Sequence, residues 1–388
     1  MPPFESFAAP TRMLMGPGPS DVSPSVLRAM SMPTIGHLDP AFLGLLDETR
    51  NWLRTVIGTE NEVTLPMSGT GSLGMETCLA NLIEPGDRVL VGCNGVFGQR
   101  LAEVARRAGA EVVAAESPWG RAMDPEALRK ASEGKAAKLL CIVHAETSTG
   151  ALTPIGPFRE LADNLGALLL VDAVTSLGGV PVDMDRSGVD ALYSGTQKCL
   201  SCPPGLAPVS LSARAVAKLN SRGRPVQSWY ADLSLITRYW GEERVYHHTA
   251  PINMLYGLHE ALRLVLEEGL DARFQRHARL SRALGAGLEA MGLHLPVPEA
   301  ERLAPLTLVE VPAGVDERLL RKSLLEKFQL EIGAGLGAFK GKALRIGLMG
   351  ASCTPRHVTL CLQALRLELA RQGFDAIADP LEAASPFF

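Results

Sequence analysis

The chain has 388 residues, of which 46% are hydrophobic and 21% charged, and its formal net charge is −4. A chain of this length is expected to form two domains with sizeable cores. The absence of a basic excess argues against a nucleic-acid partner, and no apolar run is long enough to span a membrane. Seven scattered cysteines and the lack of a signal-peptide pattern predict a cytoplasmic protein with reduced thiols.

Short apolar runs alternate with helical patterns through the first two thirds of the chain. The helical patterns cover residues 75–82 and 99–109. The runs predicted as strands are residues 62–65, 88–91, 111–115, 138–144, 167–171 and 191–194. Because most of these runs are continuously apolar, they are typical of strands buried on both faces. The pattern therefore predicts an α/β fold whose large domain has a mostly parallel central sheet flanked by helices.

The pattern changes near Asp271. Helical periodicity covers residues 272–291, 316–328 and 357–372, and strands are predicted over residues 307–311 and 343–349. This mixture predicts a smaller C-terminal α+β domain. We therefore expect an N-terminal arm over residues 1–20, a large domain over residues 21–270 and a small domain over residues 271–388.

Asp172 and Lys198 are the principal candidates for catalysis. Asp172 closes a predicted strand, and Lys198 follows the next one. Ligands of open α/β sheets bind at the carboxyl ends of strands. An isolated lysine is usually a solvated charge, and such an aspartate can equally be a helix cap. Together, however, they match what pyridoxal 5′-phosphate (PLP) requires: an amine that forms a Schiff base and a carboxylate beside the pyridine nitrogen.

A glycine-rich turn, Ser68 to Gly74, precedes a predicted helix. Free N–H groups at a helix start bind phosphate, and the hydroxyls of Thr70 and Ser72 would add to that site. The turn also matches G-x-G-x-x-G, which keeps an NAD-dependent dehydrogenase as an alternative. That motif needs an acidic residue at the end of the following strand, and the sequence there ends in Cys93.

Phe97 and Arg345 are predicted to contact ligands. Phe97 follows a strand at the same edge of the sheet, where its ring could stack on a pyridine ring or simply pack in the core. Arg345 lies inside an apolar strand, where a charge is costly unless it is paired. A substrate carboxylate would pair with it bidentately, and an internal salt bridge is the alternative.

Three other motifs are weaker. His247-His248 lacks further ligands at metal spacing, and Cys199 and Cys202 form a single CxxC without a second pair, so we predict no metal. The glycine-rich residues 333–342 do not fit a P-loop, because Ala343 occupies the Ser/Thr position.

With these residues in place, the chain resembles the class V (fold type I) PLP-dependent aminotransferases, and within them the alanine–glyoxylate and serine–glyoxylate enzymes. The resemblance covers nearly the whole chain. Its most specific segments read EPGDRVLVGCNGVFGQR, LLLVDAVTSLGGVPVDMDRSGVD, YSGTQKCLSCPPG and VYHHTAP. It implies that Lys198 binds the cofactor covalently, that Asp172 pairs with the pyridine nitrogen and that Arg345 binds the substrate carboxylate.

The resemblance also assigns the remaining cofactor contacts. It implies that Phe97 and Val174 sandwich the ring and that Thr147 approaches the ring hydroxyl. The residues that it places at the phosphate are Thr70, Gly71, Ser72 and Gln197, together with Tyr246 and Thr249 from a partner subunit. Many relatives have Trp at the position of Phe97, and some have His at that of Ser72. A homodimer with two shared sites follows from these assignments.

The implied reaction is ping-pong transamination between a small L-amino acid, alanine or serine, and a 2-oxo acid, with glyoxylate the expected acceptor. Two readings remain open besides the dehydrogenase. One is another class V enzyme, such as a lyase or cysteine desulfurase that would use Cys353. The other is a non-catalytic PLP-binding regulatory module, although no DNA-binding extension is visible.

Overall fold

The computed structural model describes residues 6–388, so the first five residues of the predicted arm lie outside the described part. The helices are α1 (Pro24–Met30), α2 (Pro40–Ile57), α3 (Gly71–Leu82), α4 (Val96–Arg107), α5 (Pro125–Ser132), α6 (Gly156–Asn164), α7 (Ala213–Asn220), α8 (Leu233–Trp240), α9 (Ile252–Glu268), α10 (Leu270–Ala290), α11 (Glu317–Phe328), α12 (Pro355–Arg371) and α13 (Pro380–Ala384). Within residues 6–388, no helix combines the length and apolar character that crossing a bilayer requires.

The strands are β1 (Met13–Leu14), β2 (Val63–Ser68), β3 (Arg88–Cys93), β4 (Glu111–Glu116), β5 (Leu139–Val143), β6 (Ala145–Glu146), β7 (Ala151–Leu152), β8 (Leu168–Asp172), β9 (Ala191–Tyr193), β10 (Leu206–Leu211), β11 (Leu306–Glu310), β12 (Leu330–Glu331), β13 (Gly333–Ala334) and β14 (Ala343–Gly347). Seven of them form the central sheet, in the order β2-β10-β9-β8-β5-β3-β4. Strands β9, β8, β5, β3 and β4 run parallel, and β10 is antiparallel to both of its neighbours. The predicted α/β fold with a mostly parallel sheet is therefore confirmed.

The antiparallel pair β2–β10 is the main departure from the predicted elements. The sequence pattern predicted a strand only to Leu65 and none over residues 206–211. Both strands contain a proline, and Pro66 lies opposite Pro208 in the register. A proline removes a donor from the ladder and counts against a central strand, which explains why the pattern missed them.

Five strands deliver candidate residues to one edge of the sheet. Strands β2, β3, β5, β8 and β9 run in the same direction. Asp172 is the last residue of β8, and the segments that follow the other strands carry the phosphate turn, Phe97, Thr147 and Lys198. Their register is tight at this edge, where Asp172 lies opposite Val143 on one side and Tyr193 on the other. The sheet thus gathers side chains that are far apart in the chain.

The two largest of four hydrophobic cores among residues 6–388 lie in different parts of the chain. The larger surrounds the central sheet and extends from Val26 to Val265, and the second contains Met15 with residues between Leu280 and Ala384. Strand β1 pairs with β12, so the end of the predicted arm packs on the C-terminal part of the chain. The division into residues 1–20, 21–270 and 271–388 stays a prediction.

Candidate active site

Asp172 is a buried carboxylate at the end of β8, with 2% of its surface exposed. Its Oδ2 accepts a hydrogen bond from the Tyr193 hydroxyl (2.7 Å), and its Oδ1 accepts one from the Val174 N–H (2.9 Å). Burial raises its pKa to about 6, and these two hydrogen bonds oppose the rise. Tyr193 was not predicted from the sequence as a site residue, and the parallel register of β8 and β9 places it opposite Asp172.

Lys198 is buried beneath the N-terminal segment 16–20, with 8% of its surface exposed. Its Nζ donates to the Pro17 carbonyl, and its own carbonyl accepts from the Ser20 hydroxyl at 2.8 Å. Gly18 has φ +98°, and a Cβ there would lie 2.5 Å from Nζ, so this close cover requires glycine. Burial lowers the pKa of Lys198 to about 8, and the positive charge of Arg345 adds to the decrease.

The segment 16–20 was not among the residues selected from the sequence for chemistry. Its pattern, Gly-Pro-Gly-Pro-Ser, was the available signal, because alternating glycine and proline favour a tight, fixed backbone. The structure shows that this backbone closes the lysine off from solvent.

The predicted phosphate turn opens α3. Thr70 is the N-cap residue of this 12-residue helix and makes no side-chain capping hydrogen bond. A Cβ on Gly71 would lie 3.4 Å from Val174 Cγ2, which places the turn against the segment that follows Asp172. Gln197 lies beside the same turn, and its buried Oε1 has no hydrogen-bond partner among residues 6–388. Ser72 is exposed at the first turn of the helix.

Phe97 and Thr147 lie on separate segments of the same sheet edge. Phe97 is half-buried in the first turn of α4, and the guanidinium of Arg100 lies 4.8 Å from the centre of its ring. Thr147 is buried, and its hydroxyl lies 2.5 Å from that of Thr175, a neighbour the sequence analysis did not select. Thr175 belongs to the loop that begins at Asp172, so this contact ties Thr147 to it.

Arg345 lies on β14 and points towards Thr147. Its Nε donates to the Ala334 carbonyl (2.7 Å), and its Nη1 donates to the Thr147 carbonyl (3.1 Å). Burial lowers its pKa to about 10. No carboxylate lies within 4.0 Å of its guanidinium among residues 6–388. The internal salt bridge, which was the alternative prediction for Arg345, is therefore not found. Two backbone carbonyls thus orient a buried cation that has no counter-ion of its own.

Tyr246 and Thr249 are not brought into this group. Both side chains are exposed, and the Tyr246 hydroxyl lies 3.5 Å from Thr249 Oγ1. The Tyr246 ring lies 5.2 Å from that of His37. No hydrogen bond links either residue to Lys198 or Gln197 within residues 6–388.

The competing motifs have structural explanations. Strand β2 is separated from β3 by four strands, which differs from the adjacent strands of a dinucleotide-binding βαβ unit. Cys353 is fully buried, and burial raises its pKa to about 11, unlike a mobile desulfurase thiol. Nδ1 of His247 and Nδ1 of His248 contact each other at 2.7 Å. No cluster of three or more potential metal ligands occurs among residues 6–388.

The residues present fit PLP. The uncapped start of α3 offers backbone N–H donors to a phosphate, and the side-chain amide of Gln197 beside it carries an N–H₂ donor. Asp172 offers a buried carboxylate to a pyridine nitrogen, and Lys198 offers a buried amine of lowered pKa to an aldehyde. Fold and site together define a PLP-dependent transferase.

The chain belongs to the class V aminotransferase family, whose model, Aminotransferase class-V, matches residues 25–352. It is 42% identical over 382 residues to (S)-ureidoglycine–glyoxylate transaminase of Bacillus subtilis, covering 94% of this chain and 92% of that protein. It is 41% identical over 377 residues to alanine–glyoxylate aminotransferase of Mus musculus, covering 94% and 90% respectively. The crystal structure of alanine–glyoxylate aminotransferase from Nostoc sp. superposes with a TM-score of 0.93 at 48% identity, covering 95% and 97%.

The protein is therefore an aminotransferase that uses PLP and acts on an amino acid and a 2-oxo acid. The predicted family, fold and cofactor are confirmed, and the lyase or desulfurase alternative is not favoured.

Proposed function

We propose that this aminotransferase moves the amino group of a small L-amino acid, alanine or serine, to glyoxylate. The observation that best supports amino transfer is the buried Lys198, because burial lowers its pKa to about 8. The buried carboxyl group of Asp172 acts on the same pKa in the opposite direction. Glyoxylate is supported by the names of relatives at 41–48% identity, all of which include it.

PLP, when bound, supplies an aldehyde that condenses with amines and a pyridinium ring that withdraws electrons from the substrate Cα. Lys198 would remove the proton from that Cα and return it later, which its lowered pKa allows near neutral pH. Asp172, held by Tyr193 and Val174, would keep the pyridine nitrogen protonated. A second half-reaction with the oxo acid would reverse these steps, so the kinetics would be ping-pong.

Other residues would bind and orient. Thr70, Gly71, Ser72 and Gln197 would hold the phosphate, Phe97 and Val174 would enclose the ring, and Thr147 would donate to the ring hydroxyl. Arg345 would hold the substrate carboxylate, because its Nε and Nη1 are already fixed by carbonyls and its Nη2 makes no hydrogen bond within residues 6–388. Segment 16–20 would exclude water from Lys198.

(S)-Ureidoglycine is a second candidate donor. The relative that carries this substrate in its name is 42% identical over 94% of the chain, about as similar as the mouse enzyme. Steady-state assays with glyoxylate as acceptor and alanine, serine or (S)-ureidoglycine as donor would rank kcat/KM. An alanine or serine preference would support the proposal, and an (S)-ureidoglycine preference of 100-fold or more, on the order of 3 kcal/mol, would replace it. Pyruvate in place of glyoxylate would test the acceptor.

A homodimer with shared sites is supported by the surface around Tyr246. The large side chains of Trp229 and Tyr246 are exposed there, with 59% and 56% of their surfaces accessible. The Trp229 ring stacks at 4.1 Å on that of His247, the residue next to Tyr246. Contiguous exposed apolar surface is typical of an interface. The specifically cytoplasmic location expected from the sequence stays a prediction.

Mixing inactive variants would test the shared site. Lys198→Ala mixed with a Tyr246→Ala/Thr249→Ala double variant should regain activity, because one site of the mixed dimer has all of its residues. Lys198→Ala mixed with Asp172→Asn is the matched control and should stay inactive, because both defects belong to a subunit's own site. Equal behaviour of the two mixtures would contradict shared sites.

A further inference from the structure

Glu146 is a buried carboxylate that the proposed reaction does not use. It lies on β6, next to Thr147, and none of its surface is exposed. Its Oε2 accepts hydrogen bonds from the backbone N–H groups of Phe97 (3.1 Å) and Gly98 (3.3 Å). Its Oε1 accepts from the Ser148 N–H (3.0 Å) and the Ser148 hydroxyl (2.6 Å).

Four donor groups on other residues converge on the two carboxyl oxygens of Glu146. Burial raises the pKa of Glu146, and the hydrogen bonds from Ser148 and Gly98 oppose that rise. The carboxyl group therefore joins the segment after β6 to the point where α4 begins.

The contacts fix the backbone around Phe97 from outside α4. The N-cap residue of this helix is Gly95, which has no side chain to cap it. Ser148 replaces that cap, since its hydroxyl accepts from the Val96 N–H at 3.0 Å while it donates to Glu146. A Cβ on Gly95 would lie 2.4 Å from Ser148 Oγ and 2.5 Å from the Glu146 carboxyl carbon, so the two segments meet without space between them.

The same short segment joins other predicted site residues. Thr147 follows Glu146 directly, and its carbonyl accepts from Arg345. Glu146 is also close enough to Arg345 for its charge to oppose the lowering of the Arg345 pKa by burial. Thus one buried dipeptide, Glu146-Thr147, connects the ring-stacking position, the ring-hydroxyl position and the carboxylate-binding cation.

We propose that Glu146 is a positioning residue, which fixes Phe97 through its backbone and would thereby help to orient the cofactor ring that Phe97 stacks on. This inference rests on the proposed stacking role of Phe97. It assigns the carboxylate no contact with the substrate.

Glu146→Gln in the holoenzyme tests the proposal. Glutamine is nearly isosteric, but its Nε2 would face either the N–H groups of Phe97 and Gly98 or the donors of Ser148, so one set of hydrogen bonds must break. We expect the visible-range circular dichroism of the bound cofactor to change and its dissociation constant to rise up to about 10-fold, the scale of a lost aromatic stack.

Two further variants make the result specific. Asp316→Asn alters the capping carboxylate of α11, which accepts from the Leu319 N–H far along the chain from the site, and should lower only thermal stability. Phe97→Ala tests the stacking role itself and should change the circular dichroism and the dissociation constant in the same direction as Glu146→Gln.

The outcomes are distinct. Glu146→Gln that loses thermal stability like Asp316→Asn but keeps the wild-type circular dichroism and affinity overturns the proposal, as long as Phe97→Ala changes both. Unchanged values in Phe97→Ala would remove the stacking role and this inference with it. Should Glu146→Gln fail to fold, Glu146→Asp decides, because it shortens the side chain by one methylene and so weakens the hydrogen bonds to the Phe97 and Gly98 N–H groups; a wild-type circular dichroism spectrum and cofactor affinity in that variant overturn the proposal.

Discussion

Replacing Asp172 by Asn should stabilise the cofactor-free protein while abolishing transamination. Asp172 is buried, and its pKa is raised to about 6 against an ordinary value of 3.8. An acid whose pKa is higher in the folded than in the unfolded state lowers stability once the pH exceeds the folded value. The variant removes that cost. Its amide oxygen can still accept from the Val174 N–H, but its Nδ2 would face the Tyr193 hydroxyl, whose proton would then lack an acceptor, so part of the gain is lost.

The magnitude follows from the shift of the pKa. At 1.36 kcal/mol per unit, the shift from 3.8 to about 6 corresponds to up to about 3 kcal/mol above pH 6. The sign can be checked through the pH dependence. Below about pH 3 the carboxyl is protonated in both states, so the charge cost vanishes and the variant should be no more stable than the wild type. The difference should open as the pH rises from about 4 to 6 and then stay constant.

Urea denaturation of both cofactor-free proteins at pH 4, 5, 6 and 8 would measure this difference. Asp190→Asn is a matched control, because Asp190 is equally buried but pairs with Arg159 at 2.8 Å, and its replacement should destabilise the protein at pH 8. An Asp172→Asn variant that is less stable than the wild type at pH 8, or a difference that does not depend on pH, would refute the reasoning.

Three further predictions concern single residues. Arg345→Lys should raise the KM for the amino donor about 30-fold, on the order of 2 kcal/mol for a charge-assisted bidentate contact, and leave cofactor affinity unchanged. Steady-state kinetics and a cofactor titration measure these two quantities. An unchanged KM would show that the cation serves only stability. The rate of covalent cofactor uptake by Lys198 should increase with pH with a midpoint near 8, because only the neutral amine attacks; stopped-flow absorbance with a midpoint above 10 would contradict the lowered pKa. Cys353→Ser should keep full transaminase activity, and neither protein should release sulfide from L-cysteine, because this thiol is buried with a pKa of about 11; sulfide that disappears in the variant would revive the desulfurase alternative.

Much of the fold could be predicted because parallel strands leave a strong signal. The segment 167–171 is continuously apolar, as expected of a strand buried on both faces, and the structure places it at Leu168–Asp172. The antiparallel strands β2 and β10 were not fully predicted, because each contains a proline, at 66 and 208. Whether a strand tolerates a proline depends on its neighbours in the sheet, and a local sequence pattern does not contain them. Helix α3 begins at Gly71, earlier than the predicted start at Met75. The pattern did not indicate its first turn, because glycine and serine have weak helix propensity.

The site was only partly accessible to such patterns. Asp172 and Lys198 could be selected because each follows a strand in the chain. Tyr193, Glu146 and Pro17 could not, because their contacts cross between segments, and nothing local distinguishes a buried glutamate that caps a distant helix from a solvated one. Tyr246 remains a candidate by resemblance, since its predicted contact lies across a subunit boundary.

The visible absorption spectrum of the purified protein, recorded with added PLP before and after L-alanine or L-serine, tests amino transfer through Lys198 most directly. We expect a band in the violet that bleaches with the amino acid and returns with glyoxylate, and a Lys198→Ala variant that does not show this cycle. A protein that acquires no such band, or a Lys198→Ala variant that bleaches and recovers like the wild type, would contradict the central claim.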